Sequence, residues 1–248
     1  MQKGYGSSVD WPDLENKELY VRDKKLSEMI KDYDFIDSIF HTWIQKKPTD
    51  SEKKMLNSVL VSFCGGWSIL PPVIFSARLA ATTKAPISQC LAAGFSASGP
   101  AHTAAIHGIM DVYLNTETDK IHDYVNEKIS RGERIPGFGH PVVDRDPRPE
   151  ILYRKYVDLG LDGDAVKKCK SIEKILSENK KVYANVDGIN GAILVDLGFK
   201  DPSYGPALFL MGRSLSMTAH ILEEMKNPAF KALELVHPGL STIDYAYK

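Results

Sequence analysis

Apolar residues recur at helical spacing through most of this chain, and that periodicity restricts the possible folds more than any other feature of the sequence. Only two short runs, residues 19–21 and 181–184, are typical of β-strands. The connections between the periodic segments are short, and no GxGxxG or GxxxxGKS/T motif precedes a predicted helix. Both observations argue against a βαβ fold. The sequence therefore predicts a mainly α-helical protein.

Helix boundaries are predicted from the same spacing together with proline and capping residues. One helix is predicted over residues 26–44, and another opens at the Pro71-Pro72 pair, because proline is tolerated in a first turn. Thr116 and Asp119 have the spacing of a capping box for a later helix. Small residues on the Pro-Pro helix and on the next one predict two central helices that are buried on most sides. Further helices are predicted at residues 51–62, 87–97, 102–114, 149–159, 164–178, 188–197 and 204–225.

Length and charge limit the class of protein. The 248 residues suffice for one large domain with a smaller lobe; residues 1–18 are predicted to form an extended arm, and residues 19–248 the remaining unit. Lysine and arginine total 31 against 32 aspartate and glutamate, interspersed, which argues against a nucleic-acid or membrane partner. The start of the chain lacks the apolar core of a signal peptide, and the three cysteines lack CxxC spacing, so a cytoplasmic protein with reduced thiols is predicted.

The segment with the clearest functional pattern is the irregular loop at residues 131–148. Gly137 and Gly139 permit backbone conformations that bring main-chain groups against a flat ligand, and His140 follows them directly. Arg148 can grip a carboxylate through two parallel hydrogen bonds. Two alternatives stay open here: the histidine lies in an ordinary turn, or the arginine forms a surface ion pair with a neighbouring carboxylate.

Three further polar residues stand out by their positions relative to the predicted helices. His102 lies at a helix start, where the dipole favours a neutral imidazole that can donate to an oxygen gaining negative charge; the alternative is a capping or core histidine. Asp187 lies near another helix start and is either a general base or an N-cap. Arg213 interrupts an apolar run, where an arginine needs an anionic partner from the protein or a substrate. With His140 and Arg148, these residues suit enolisation next to a carbonyl, with carbon–carbon bond making or breaking on a polycarboxylate.

Four short motifs, found in the same order, make the chain resemble the citrate synthase superfamily. The motifs are Gly99-Pro100-Ala101-His102, similar to GPLH; Gly137-Phe138-Gly139-His140 with Asp146-Pro147-Arg148, similar to GFGH…DPR; Asn185-Val186-Asp187, similar to NVD; and Gly212-Arg213-Ser214 with His220, similar to GRS…GH. The resemblance covers nearly everything from about Leu19 onward. In length the chain resembles the short citryl-CoA lyase type, which is also found as the carboxy-terminal module of ATP-citrate lyase.

The resemblance implies a fold with a large and a small helical domain, the small one at approximately residues 131–215. It also implies a homodimer or higher homo-oligomer. The ligands that it implies are a CoA thioester, used as a substrate, and a 2-oxo acid or citrate-like polycarboxylate. It implies neither a tightly bound cofactor nor a metal.

The resemblance also implies a role for each matching residue. In the condensing direction Asp187 would take a proton from the acetyl methyl group, His102 would hydrogen-bond the enol, and His140 would donate to the carbonyl of the 2-oxo acid. Arg148 and Arg213 would hold substrate carboxylates. The residues implied to contact the adenine and pantetheine parts of CoA, with Arg145 meeting a phosphate, are Ile135, Pro136, Gly137, Phe138, Gly139, Arg145 and Asn185.

Two positions depart from the family pattern. Residues 62–68 lack the histidine of the family's Asp-His-Gly, which helps to hold the oxo acid. Near the carboxy-terminus His237 stands where the family presents an arginine, and it would bind substrate with a weaker, titratable charge. The leading hypothesis is an enzyme of citryl-CoA lyase type with an altered acid pocket. The alternatives are a citrate synthase proper, a catalytically weak CoA-binding homologue or assembly subunit, and a purely structural helical protein.

Overall fold

The computed structural model describes residues 7–66, 68–99 and 102–235, and α-helices account for most of this part of the chain. The mainly α-helical class is therefore confirmed. The helices within the described ranges are α1 (Leu26–Asp32), α2 (Phe35–Ile44), α3 (Asp50–Cys64), α4 (Pro72–Thr82), α5 (Ile87–Ser96), α6 (Ala104–Asn115), α7 (Ile121–Ser130), α8 (Arg148–Asp158), α9 (Asp164–Lys180), α10 (Val186–Leu197) and α11 (Tyr204–Lys226). Short 3-10 turns lie at Thr118–Lys120 and Lys231–Leu235.

A small antiparallel sheet includes part of the predicted amino-terminal arm, whose first six residues lie outside the described ranges. Strand β1 (Asp10–Asp13) pairs with β2 (Glu18–Val21), which pairs in turn with β3 (Lys24–Lys25). Trp11 lies opposite Tyr20, and their rings stack with centroids 5.4 Å apart, a cross-strand aromatic pair that stabilises the hairpin. The predicted boundary after residue 18 therefore falls inside one folded unit. The second predicted strand-like run contributes only an isolated bridge between Phe138 and Ala184.

The single helix predicted over residues 26–44 is two helices, because a local capping box interrupts it. Asp34 accepts a hydrogen bond from the backbone N of Asp37 at 2.8 Å, and the Asp37 carboxylate accepts one from the N of Asp34 at 3.1 Å. The capping box predicted from Thr116 and Asp119 is wrong: neither the 3-10 turn at this position nor α7 has a side-chain cap.

Helix α4 begins at Pro72, as the Pro-Pro pair predicts, and five of its 11 residues are buried, but α5 is not buried on most sides within this chain. Gly94 brings them together: a Cβ added there would lie 2.8 Å from the Val73 carbonyl oxygen. The outer face of α5 is open, with Ile87 and Phe95 each 40% exposed. The helix buried nearly all round is α10, in which ten of 12 residues are buried.

Two hydrophobic clusters organise the helices. The larger draws on α2, α3 and α6–α10, and the smaller on α4 and α5. Helix α11 joins them, since Leu208 belongs to the larger cluster and Met217 to the smaller. Arg213 thus lies on α11 between the residues that pack in the larger cluster and those that pack in the smaller one. In the described ranges, no helix combines the length and hydropathy that a bilayer crossing requires.

Candidate active site

A cavity of about 300 Å³ lies at the amino-terminal ends of α4, α6, α8 and α10. The middle part of α11 forms another side of its wall. The cavity collects residues that are far apart in the sequence. The wall consists of Gly66, Leu70, Pro71, Pro72, His102, Ala105, His140, Pro141, Val142, Arg148, Asn185, Val186, Asp187, Phe209 and Arg213. The three predicted catalytic residues and two of the predicted substrate-binding residues therefore share one site.

Asp187 is the second residue of α10, and its side chain lines the cavity instead of capping the helix. The cap is Asn185, whose Oδ1 accepts hydrogen bonds from the backbone N of Asp187 at 2.9 Å and of Gly188 at 3.2 Å. The alternative that Asp187 is an N-cap is therefore wrong. Its Oδ1 is buried and has no hydrogen-bond partner among the described residues. Burial raises the pKa of Asp187 to about 7, although the Arg148 and Arg213 guanidiniums oppose that rise.

The glycine loop is fixed to the segment that leads into α10. The backbone N of Gly139 donates to the Tyr183 carbonyl at 2.8 Å, and the N of Asn185 donates to the Gly137 carbonyl at 3.0 Å. Asn185 Nδ2 donates to the Gly139 carbonyl at 2.7 Å. Gly137 and Gly139 have φ values of 79° and 84°, in the left-handed region that favours glycine. A methyl group on Gly188 would overlap the Gly137 carbonyl oxygen, so the loop packs directly on the first turn of α10.

His140 ends this loop, and its contacts indicate which ring nitrogen carries the proton. Nδ1 lies 3.1 Å from the backbone N of Val142 and 3.2 Å from that of Val143, both of which donate to it. Because an accepting Nδ1 carries no proton, the neutral ring is protonated on Nε2. Burial lowers the pKa of His140 in spite of the nearby Asp146 carboxylate. The imidazole is therefore a neutral donor through Nε2.

His102 lies two residues before α6, so the helix begins later than predicted. Its backbone N donates to the Gly99 carbonyl at 3.0 Å, and its ring meets Phe209 edge-on with centroids 5.6 Å apart. Nε2 is buried and has no hydrogen-bond partner within the described ranges. Burial, assisted by the positive charge of Arg213, lowers the pKa of His102. The site therefore holds two neutral imidazoles near pH 7.

Arg148 begins α8 and is held by Asp146. Its Nε lies 2.9 Å from Oδ1 and 3.2 Å from Oδ2, and its Nη2 lies 2.8 Å from Oδ2. The Asp146 carboxylate is fully buried and also accepts from the backbone N of Val186 at 3.0 Å. The predicted alternative of an ion pair is thus real, but the pair is not a surface one. It joins the loop to the start of α10 and positions Arg148 in the cavity wall.

Arg213 is 3% exposed, and its Nε and Nη1 have no hydrogen-bond partner in the described part of the chain. Its guanidinium lies over the Phe209 ring, 5.1 Å from the centroid. Burial and the charge of Arg148 lower the pKa of Arg213 to about 10, against the opposing effect of Asp187. Gly66 leaves room for this side chain, because a methyl group there would overlap Nη1. A buried cation without a protein partner, facing a cavity, indicates an anionic ligand.

A second cavity, of about 650 Å³, lies on the other side of the loop. His140 and Pro141 belong to the walls of both cavities. The remaining wall of the second one consists of Gly132, Glu133, Arg134, Ile135, Phe138, Gly139, Leu176, Lys180 and Val182. Its wall therefore combines two cationic side chains, one acidic side chain and several apolar ones next to the candidate active site.

The sequence model described as "Citrate synthase, C-terminal domain" matches residues 15–238 of this chain. The chain belongs to the citrate synthase family. It is 27% identical over 205 residues to the citrate synthase of Heyndrickxia coagulans, covering 80% of this chain and 54% of that protein. It is 29% identical over 160 residues to the 2-methylcitrate synthase of Shewanella oneidensis, covering 62% of this chain and 42% of that protein. The chain thus spans about half the length of the curated relatives that it matches.

Solved structures of this family show the same fold. The citryl-CoA lyase from Hydrogenobacter thermophilus superimposes with a TM-score of 0.84 at 27% identity, covering 92% of this chain and 90% of that chain. The ATP citrate lyase from Methanothrix soehngenii, in complex with citrate and coenzyme A, gives a TM-score of 0.76 at 20% identity over 90% of this chain and 39% of that chain. The predicted citrate synthase-like helical fold is therefore confirmed.

The residues predicted from the family to contact CoA divide into two groups. Ile135, Phe138 and Gly139 line the second cavity, and Asn185 lines the first. Pro136 and Gly137 pack instead against Gly108 and Gly188, and the Arg145 guanidinium lies 4.9 Å from the Tyr183 ring centroid. Of the described residues, these last three line neither cavity. Contact of all seven residues with CoA stays a prediction.

Some residues of the cavity wall were not predicted from the sequence, and one predicted site residue lies outside the described ranges. The latter is His237, so its predicted substrate contact stays a prediction. Leu70, Val142 and Phe209 were missed as wall residues. Only Phe209 had a usable signal, since a residue four before Arg213 lies on the same helix face.

Within the described ranges, no group of three or more histidine, cysteine or acidic side chains is arranged to hold a metal ion.

Proposed function

We propose that this protein interconverts citryl-CoA, or a related 3-hydroxyacyl-CoA polycarboxylate, with acetyl-CoA and oxaloacetate or a related 2-oxo acid. The observation that carries the proposal is the carboxyl group of Asp187. Its Oδ1 is buried without a partner, its pKa is about 7, and it shares a cavity with two histidines and an unpartnered arginine. A carboxyl group with a pKa near the working pH is suited to general-base catalysis.

In the condensing direction, Asp187 removes a proton from the C2 methyl group of acetyl-CoA. His102 stabilises the thioester oxygen as it gains negative charge, and the carbanion carbon attacks the carbonyl carbon of the 2-oxo acid. His140 donates its Nε2 proton to the resulting alkoxide, which becomes the new hydroxyl group. Both imidazoles suit these roles because burial lowers their pKa and keeps them neutral. In the lyase direction the same groups act in reverse, and Asp187 returns the proton to C2.

The second cavity is proposed to hold the nucleotide part of CoA. Support comes from the position of Gly139 in the wall of this cavity, from the cationic side chains of Arg134 and Lys180, and from the shared wall at His140. This placement would bring the thioester end of CoA past the loop towards Asp187. CoA then acts as a substrate and not as a tightly bound cofactor.

The reaction can be tested in both directions with the purified protein. Citryl-CoA would be supplied in one assay, acetyl-CoA with oxaloacetate or other 2-oxo acids in the other, and products identified by mass spectrometry. We expect the protein to cleave or to form citryl-CoA without releasing free citrate. The reason is that its similarity to citryl-CoA lyase covers 90% of the length of that chain. Release of free citrate would identify a citrate synthase proper. CoA binding in a calorimeter without turnover of any substrate would contradict the proposal and favour a catalytically weak homologue.

We also propose that the protein is a homodimer, with α4, α5 and the second half of α11 at the interface. Large apolar side chains of these helices face solvent in the single chain, namely Leu79, Ile87, Phe95, Leu215 and Leu222. Light scattering should give twice the mass of the chain, and a Leu215→Glu, Leu222→Glu double variant should give the monomer mass. Ile30→Glu, on the exposed face of α1, is the matched control and should remain a dimer. A wild-type monomer at micromolar concentration would contradict the interface.

Two further parts of the proposal concern domain structure and location. The division into a large domain and a small one at approximately residues 131–215 is retained as a proposal on the basis of the family resemblance. A cytoplasmic location is supported by Cys64, Cys90 and Cys169, which are all free thiols, as expected in a reducing compartment.

A further inference from the structure

We infer that Asn190 is a positioning residue of the candidate active site, which acts through Ser62 to hold Arg148 in the cavity wall. Asn190 itself is not a wall residue. The inference rests on the proposed function and on the predicted role of Arg148 in holding a substrate carboxylate. It is carried by a closed series of contacts that joins α3, α8 and α10.

The amide of Asn190 is fully buried and fixed in orientation. Asn190 lies on α10, one helical turn after Asp187, and is 0% exposed. Its Nδ2 lies 2.8 Å from Ser62 Oγ. The Ser62 hydroxyl donates its single hydrogen to the Val59 carbonyl at 2.7 Å, so towards Asn190 it can only accept. The amide nitrogen therefore faces Ser62, and α10 is bonded to α3 at this point.

Packing alone gives no reason for an amide at this position. Oδ1 of Asn190 is buried and has no hydrogen-bond partner in the described part of the chain. A buried polar atom without a partner is unfavourable, so an apolar side chain of similar size would suit this position better. The contact with Ser62 is therefore the better explanation of the amide.

Ser62 lies in a part of α3 that depends on contacts from other elements. Helix α3 ends at Cys64, and the last four carbonyls of an α-helix have no partner within the helix. Gly65 is extended, with φ −90° and ψ 144°, and so does not form the left-handed turn that commonly closes a helix. Arg148 Nη1 donates to the Ser62 carbonyl at 3.4 Å, and Asn190 donates to the hydroxyl of the same residue. Both contacts therefore meet at one residue of this last turn.

The contacts form a closed series that starts and ends on α10. The backbone N of Val186, the first residue of α10, donates to the Asp146 carboxylate at 3.0 Å. That carboxylate holds Arg148 through three hydrogen bonds. Arg148 donates to Ser62, and Asn190 returns the series to α10. Arg148 is thereby held from two directions relative to the first turns of α10.

A second open space beside Arg148 explains why this restraint matters. Arg148 also belongs to the wall of a third cavity, of about 350 Å³, between α3 and α8. Its guanidinium therefore has room to turn away from the candidate active site. A binding-competent position that is populated only in part lowers the apparent affinity for a ligand in proportion. The contact with Ser62, supported by Asn190, keeps Arg148 available to the acid.

The test compares variants of the full chain by steady-state kinetics of condensation, with each substrate varied in turn. Ser62→Ala removes the hydroxyl that accepts from Asn190, and Asn190→Ala removes the amide. Each should raise KM for the 2-oxo acid about three- to tenfold, the effect of losing one neutral hydrogen bond. KM for the CoA substrate should change by less than about twofold. The double variant should match the single ones within about twofold, because all three lose the same contact.

Two further variants separate positioning from stability. Ser62→Thr keeps the hydroxyl and should hold KM for the acid within about twofold of wild type. Ser58→Ala is the matched control: its hydroxyl lies one turn earlier on α3 and donates within the helix to the Lys54 carbonyl at 2.9 Å. Its loss should leave KM for the acid within about twofold of wild type.

Three outcomes would overturn the inference and leave the proposed function intact. One is wild-type turnover with an unchanged KM for the acid in Ser62→Ala and Asn190→Ala. Another is an equal rise of KM for both substrates together with a lower melting temperature, the result of a purely structural role. The third is a double variant whose effect is the product of the two single effects. Absence of wild-type turnover with every substrate would overturn both proposals.

Discussion

Asp187→Asn is expected to lower the turnover number about 10²- to 10⁴-fold, the range that a positioned general base contributes. Asparagine keeps the shape of the side chain but cannot accept the C2 proton. The measurement is turnover with the best substrate pair, together with hydrogen–deuterium exchange at the acetyl-CoA methyl group, which reports the proton transfer by itself. Wild-type kcat/KM for condensation should rise with pH through about 7, since the base acts when deprotonated.

The stability of the same variant provides the control. The folded-state pKa of Asp187 is raised from 3.8 to about 7, so its contribution to wild-type stability is full below about pH 4 and is lost as the pH rises through 7. Asparagine has no such dependence. We expect the melting temperature of Asp187→Asn to equal or exceed that of wild type at pH 8. Methyl-group exchange above one tenth of the wild-type rate in a folded variant would show that another group is the base.

Arg213→Met is expected to lower kcat/KM about 30- to several-thousand-fold, chiefly through KM for the 2-oxo acid. Truncating one partner of a buried, hydrogen-bonded charge pair costs about 2–5 kcal/mol, and each 1.4 kcal/mol corresponds to a factor of about ten. In the ligand-free protein the same change should raise the melting temperature, because the guanidinium is buried without a partner. A lower kcat/KM together with a higher melting temperature would identify Arg213 as a ligand-binding residue, because removing a structural arginine would lower the melting temperature.

Gly66→Ala is the matched control, since it keeps the positive charge of Arg213 but its methyl group overlaps Nη1. It should raise KM for the 2-oxo acid in the same direction as Arg213→Met, while KM for the CoA substrate changes by less than about twofold. Steady-state kinetics with each substrate varied in turn provide the comparison. An Arg213→Met variant with an unchanged KM for the acid would exclude this arginine as its anchor.

The sequence predicts features that depend on local chemistry. Pro72 opens α4 because proline fits a first helical turn, and the apolar run around Arg213 forms a long helix with the arginine buried in it. The resemblance to the family placed His102, His140 and Asp187 together, and the structure brings them into one cavity. Motifs of this kind are visible because each residue is constrained by its immediate neighbours in the chain.

Features that depend on distant contacts were not predictable. Asp146 looked like an ordinary acidic neighbour of Arg148, and its hydrogen bond to the backbone N of Val186 joins positions 40 residues apart. The wall position of Leu70 depends on how α4 packs against α11, which no local pattern encodes. The break before α2 was missed for a different reason: apolar spacing continues across it, and the competing capping box at Asp34 outweighs that spacing.

His140 and Pro141 belong to the walls of both cavities and separate them. If occupancy of one cavity shifts these two residues, the affinity of the other cavity changes, and thermodynamic reciprocity requires the same factor in both directions. With the two proposed ligands bound, His140 and Pro141 would therefore couple the binding of the CoA substrate to that of the acid. Calorimetric titrations of each ligand in the presence of the other would measure this coupling free energy directly.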